Sequence, residues 1–162
     1  MPYKTTTDYT GRQVDLAGFH APALPQGQYR IQLNLATDGV TQQVAGIQKL
    51  VQRYVNLLLT VKGGVVFDPI DGSTFLQDIH LGGTYTAEQL LHSFVFANAG
   101  VLALLRSEDA DPTYGTPAPD EMIADARILS SAFDNTTGTL NIKVRITSRA
   151  GDNITFVVPV SG

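Results

Sequence analysis

Asp68 and Asp71, inside the hexapeptide Asp68-Pro69-Ile70-Asp71-Gly72-Ser73, come nearest in type and spacing to a reactive centre. Two carboxylates in one loop are hard oxygen donors, and the chemistry they suggest is binding of a magnesium ion for metal-assisted catalysis. Magnesium demands near-octahedral coordination, however, and two-metal sites share several carboxylates, more than a single loop supplies. The plainer reading is a turn shaped by Pro69 and Asp71-Gly72, with the carboxylates bonded to nearby backbone groups. No metal and no cofactor are expected.

The other chemistries are weaker still. His20, His80 and His92 lie in different parts of the chain without ligand spacing,. His92 reads as a satisfied, partly buried helix residue, and His80 as a loop residue bonded locally to Asp78. Glycoside hydrolysis needs one carboxyl of raised pKa and a second carboxylate across a cleft. Glu88, Glu108 and Glu121 instead fall at helix starts or in an acidic loop, where solvent and the helix dipole keep them ionised. No catalytic residue is expected, and the chain reads as a non-enzyme.

With 162 residues, 43% hydrophobic and 16% charged, the chain suits one globular domain with a real core,. A net charge of −4 argues against a nucleic-acid partner, which would need clustered Lys and Arg,. Zero cysteines exclude disulfides and thiol chemistry,. No export signal is visible, and the apolar stretch from Phe94 to Leu105, interrupted by Asn98 and Gly100, reads as too short for a membrane span.

The elements that must position these residues follow from periodicity. Residues 1 to 28 read as an extended arm, followed by an alternating strand from Tyr29 to Leu35,. Val44, Ile47, Leu50, Val51, Tyr54, Val55 and Leu58 recur on one helical stripe, which Gly63-Gly64 ends. A second helix, Ala87 to Arg106, opens on a Thr86/Gln89 capping box and is apolar over most of its surface, so it should be central and buried on several sides. Ser107 to Pro119 reads as a loop, and Pro119 to about Asp125 as a short helix. Ile128 to Phe133, then Leu140, Ile142, Val144 and Ile146, then Ile154, Phe156, Val158 and Val160 predict a three-stranded antiparallel meander, with Pro159 placing the last strand at an edge. The expected class is α+β: two main helices and a short third on a small antiparallel sheet ending in a β-hairpin, with an N-terminal arm over 1–40 and the main domain over 41–162.

Two families share the central segment. Asp68-Pro69-Ile70-Asp71-Gly72-Ser73 resembles the magnesium loop of the inositol monophosphatase family, in which a Glu-Glu pair and a Trp-Asp motif complete the site. This chain has neither, lacks Trp altogether and is shorter than that domain. Leu59-Thr60-x-x-Gly63, then Pro69-x-x-Gly72-Ser73-x-Phe75, resembles instead the baseplate wedge or sheath-initiator family of contractile phage tails, historically labelled lysozyme-like. That likeness runs from about 41 to 162 through the same element order. The family's Glu-Pro-Arg signature is matched by Asp125-Ala126-Arg127: Arg127 carries over, Asp125 is conservative, and Ala126 loses the proline. At a helix-to-strand junction Arg127 could equally cap the short helix.

The resemblance implies a structural protein of the virion tail baseplate, assembled in the host cytoplasm, that seats the first sheath ring. It also implies about six copies per baseplate. The implied partners are the tail sheath protein, other wedge proteins, and tail tube or hub proteins, with no nucleic acid or membrane. Docking would be β-augmentation on the terminal hairpin, through Leu140, Ile142, Val144, Ile146, Ile154, Phe156, Val158 and Val160 together with Arg127. Thr60, Gly63, Pro69, Gly72 and Phe75 would form the structural motif. Proline at Val158 should then disrupt pairing and leave the helices folded. The same features suit a component of a type VI secretion machine, and a small magnesium-dependent phosphatase stands third.

Overall fold

The apolar residues spaced at three and four positions after Gly46 coil into α1 (Ile47–Leu59), which buries Ile47, Leu50, Tyr54, Val55, Leu57 and Leu58,. This computed structural model describes Arg12, Asp15–Leu16, Phe19–His20, Gln32–Leu33, 43–66, 69–81 and 86–161. Val44 is not on the helical stripe. It lies in a short strand, because Gly46, at φ 64° and ψ −145°, turns the chain out of helical geometry just before Ile47,. The helix also stops before Gly63-Gly64: Thr60 is already extended, its N–H bonded to the Asn56 carbonyl at 2.9 Å.

After α1 the chain doubles back. Val61 and Ser73 form a parallel bridge, and Phe75 then opens α2 (Phe75–Leu81). This is the third helix, and it lies earlier than expected. The segment Pro119 to Asp125 is a turn leading into a strand, with the Glu121 N–H bonded to Ala118 at 2.8 Å. Asp78 and His80 thus belong to a helix rather than a loop, and the Asp78 carboxylate accepts from Ser93 Oγ at 2.8 Å.

Helix α3 (Ala87–Ala110) begins at the expected capping box: Thr86 Oγ1 accepts from Gln89 N–H, and Gln89 Oε1 accepts from Thr86 N–H,. It continues four residues past Arg106, which shortens the expected loop. By length and composition alone, 24 residues and a mean hydropathy of 1.4, it could cross a membrane. Leu90, Phe94, Ala97, Val101 and Leu105 instead form the middle of the protein core. The helix is central, and one side of it stays open: Phe96 is 73% exposed, Val95 46%, and His92 also faces outward.

The C-terminal third is the antiparallel meander that the alternation predicts: β5 (Ile123–Asp134), β6 (Thr139–Ser148) and β7 (Asn153–Ser161), in spatial order β5-β6-β7. β5 begins five residues earlier than Ile128. Leu140, Ile142, Val144 and Ile146 of β6 are all buried, while Lys143 and Arg145 are exposed,. Helices α1 and α3 cover the apolar face, α1 against β6 and β7 and α3 against β5 and β6. The layers are pinned by Tyr54, which meets Phe156 edge-on at 6.2 Å and donates to Asn98 Oδ1 at 2.6 Å,. Burial pushes the Tyr54 phenol well above its ordinary pKa,. The protein is α+β.

Within the described part of the N-terminal forty residues, Arg12 and Asp15–Leu16 are tied back to this body. β1 (Asp15–Leu16) pairs antiparallel with β4 (Gln43–Val44), β2 (Phe19–His20) pairs with β3 (Gln32–Leu33), and Gln52 donates to Asp15 at 3.1 Å. Of the strand expected from Tyr29 to Leu35, Gln32 and Leu33 alone lie within the described residues.

Candidate partner-binding sheet

Hydrogen bonding along the sheet decides which residues could meet a partner. Ser148 N–H donates to the Asp152 carbonyl at 2.9 Å, just beyond the Thr147–Asn153 pair. Bonded and non-bonded pairs alternate in an antiparallel ladder. The bonded pairs across β6 and β7 are therefore Ile146–Ile154, Val144–Phe156, Ile142–Val158 and Leu140–Val160. Asn153, Thr155 and Val157 turn their backbone N–H and C=O groups outward, and no described residue bonds them. Pro159 occupies an outward position too, so its missing donor costs the sheet nothing,.

The same phase leaves the outward carbonyls of β5 at Ala124 and Ala126, and α3 satisfies both. Arg106 donates to Ala124 at 2.8 Å and Asn98 Nδ2 to Ala126 at 3.1 Å. Beyond Ile128 a register shift at Leu129 breaks the edge, and Leu129 and Phe133 are 40% and 45% exposed,. β7 is the longer unbroken open edge.

The docking residues expected from the sequence divide accordingly. Leu140, Ile142, Val144 and Ile146 sit on the central strand, whose backbone is paired on both sides, and their side chains are core. Phe156, Val158 and Val160 are likewise buried, and Ile154 is half-buried against the core. None of them can be read by a partner through its side chain. The outward positions Asn153, Thr155 and Val157, masked in sequence by the more obvious apolar alternation, are the ones an added strand would meet. Val158 is moreover a bonded core residue, so proline there would strike the fold itself.

Arg127 sits within β5 rather than at a helix-to-strand junction, directly opposite Arg145 and paired with the Asp125 carboxylate. With no helix at 119–125, the capping role does not arise. The start of β5 is anchored instead by buried charges. Glu121 is only 3% exposed and accepts from Gly46 N–H at 3.0 Å and Lys49 Nζ at 3.2 Å. Asp109 accepts from Ile123 N–H at 2.8 Å and Arg53 at 3.1 Å, and Arg53 also pairs with Glu108 at 2.7 Å. Burial alone would lower the Arg53 pKa, but Glu108 and Asp109 outweigh it, so the guanidinium is held charged,. Neither Glu121 nor Glu108 is the solvated carboxylate expected from a loop or helix start. Their role is to clamp α1, α3 and β5 together.

The Thr60 to Phe75 motif folds as a structural staple. Ser73 N–H donates to Thr60 at 2.8 Å, Lys62 N–H to Ser73 at 3.0 Å, and Ser73 Oγ to Leu58 at 2.6 Å. Ser73 Oγ then accepts from Phe75 N–H, and Phe75 packs edge-on to Phe94 at 5.2 Å. Gly63 and Pro69 are exposed at the rim. Asp68 lies outside the described residues; among these, no group of three or more His, Cys, Asp or Glu could hold a metal ion. Gly72 has φ 103°, and a Cβ there would lie 2.6 Å from the Thr60 carbonyl oxygen. Gly72→Ala should therefore destabilise the fold by about 2–4 kcal/mol, read as a lowered urea midpoint. An unchanged midpoint would refute the staple.

No family model matches the chain, and no curated protein or solved structure matches it.

Proposed function

We propose that this protein is a structural component of a contractile tail baseplate, in the virion, that initiates sheath assembly by accepting a strand from a sheath subunit on β7. What supports the reading is the edge itself. Its nine residues present outward backbone donors and acceptors at Asn153, Thr155 and Val157, with their strand held rigid by core contacts on its other face. Main-chain bonds to such an edge supply affinity, and alternate side chains supply specificity. Wedge proteins, and tube or hub proteins, would hold the remaining surfaces.

Truncation after Asn135 would remove β6 and β7 and with them the core residues Leu140 to Val160, so it cannot separate docking from folding. Val157→Pro can, because its N–H points away from β6. Particles assembled with this variant should show baseplates and tubes without sheath by electron microscopy. Normally sheathed tails would rule out docking on β7.

A further inference from the structure

The face of the sheet opposite the helices carries an unbalanced cluster of positive charge. Arg127 and Arg145 are directly opposed across β5 and β6, and Lys143 stands two residues from Arg145 on the same face. All three are exposed, the Arg127 side chain by 77%. Like charges directly opposed in a sheet destabilise it, so the arrangement is not one that the fold alone favours. Away from this face, around the start of β5, cations are matched by carboxylates: Arg12 with Asp120, Lys49 with Glu121, Arg53 with Glu108 and Asp109. Here Asp125 alone answers, through Arg127, and Lys143 and Arg145 have no ion pair among the described residues.

A positive face on a chain of net charge −4 is a local inversion of sign. The neighbours across β7 are short: Thr155 opposes Arg145 and Val157 opposes Lys143. The cations therefore stand above their surroundings and can lean toward the open β7 edge. A strand added there would lie about 10 Å from β6, within joint reach of an arginine and a glutamate.

We propose that this face binds an acidic, extended segment of a partner protein, its carboxylates engaging Arg127, Arg145 and Lys143. This rests on the sheet being the partner-binding element and specifies the chemistry of what it takes. A carboxylate matches the guanidinium fork in two parallel hydrogen bonds, which gives register as well as attraction. Three cations on an otherwise acidic protein are too few to hold a nucleic-acid backbone or a lipid surface.

The test uses the full chain and a short fluorescein-labelled peptide alternating glutamate and threonine, followed by anisotropy. Binding should weaken as salt rises and fall about tenfold or more in Lys143→Glu/Arg145→Glu. That variant should keep its fold, since a carboxylate in place of the Arg145 guanidinium opposes Arg127 favourably; circular dichroism checks this, and Lys143→Gln/Arg145→Gln serves if it does not. Undiminished binding by the folded variant, no binding by the parent, or preference for oligothymidylate or phosphatidylserine vesicles would overturn the proposal. Val157→Pro separates the two ideas. If it spares peptide binding while the charge variants abolish it, the acidic-segment site stands without strand addition. If it abolishes binding while the charge variants do not, strand addition stands and the acidic-segment site falls.

Discussion

Arg53→Ala should destabilise the fold by about 3–5 kcal/mol, enough to lower the melting temperature by about 10 °C or more. The cost does not come from losing an attractive pair as such. Asp109 has a fully buried side chain whose one carboxylate oxygen accepts from Arg53 and whose other accepts from Ile123 N–H. Without Arg53, that carboxylate stays buried beside a single backbone donor and must either shed its charge or open the structure. The Glu121 carbonyl, to which Arg53 also donates at 3.2 Å, loses a donor in the same step. Arg53→Lys should recover part of the loss, since one ammonium cannot span Glu108, Asp109 and the Glu121 carbonyl as a planar fork does. Thermal unfolding followed by circular dichroism measures all three proteins. A melting temperature within about 3 °C of the parent for Arg53→Ala would show that the clamp contributes little.

Val158→Pro should be nearly as damaging, at about 3 kcal/mol or more, while Val157→Pro one residue earlier should cost about 1 kcal/mol or less. The two valines differ in where their backbone points. Val158 forms a bonded pair with Ile142 and is 7% exposed, so proline there removes a ladder bond and disturbs the core. Val157 opposes Lys143 in a non-bonded pair, and its N–H faces outward as the absent N–H of Pro159 would,. Chemical denaturation of both variants measures the difference. Equal destabilisation would mean that the bonding phase deduced from Ser148 and Asp152 is wrong, and with it the identity of the outward residues.

Much of this architecture was legible in the chain. Period-two alternation from Leu140 to Val160 survives folding because each side chain's face is set by the pleat, whatever lies beyond. The Thr86/Gln89 capping box is equally local, since its donors and acceptors lie within one turn. The edge position of the last strand followed from Pro159, which lacks the N–H that an interior strand must donate on one side or the other.

Other features depended on contacts distant in sequence. Pro119, Asp120 and Glu121 carry the composition of a helix start, yet Glu121 is drawn inward by Gly46 and Lys49, 75 and 72 residues away, and the chain enters β5 instead. Phe75 to Leu81 gave no clear helical stripe, and forms a helix where Ser73 Oγ takes up the free Phe75 N–H and Phe75 seats on Phe94. The cluster of Arg127, Arg145 and Lys143 is likewise invisible in one dimension, where Arg127 stands far from the other two.

The sequence by itself determined the α+β class, the two long helices, the meander and its edge, because periodicity, caps and a missing proline donor act locally. Tertiary structure decided which backbone groups remain open, which carboxylates are buried and which cations meet. Those depend on strand register and on long-range hydrogen bonds, and no local pattern of residues encodes the phase of a ladder.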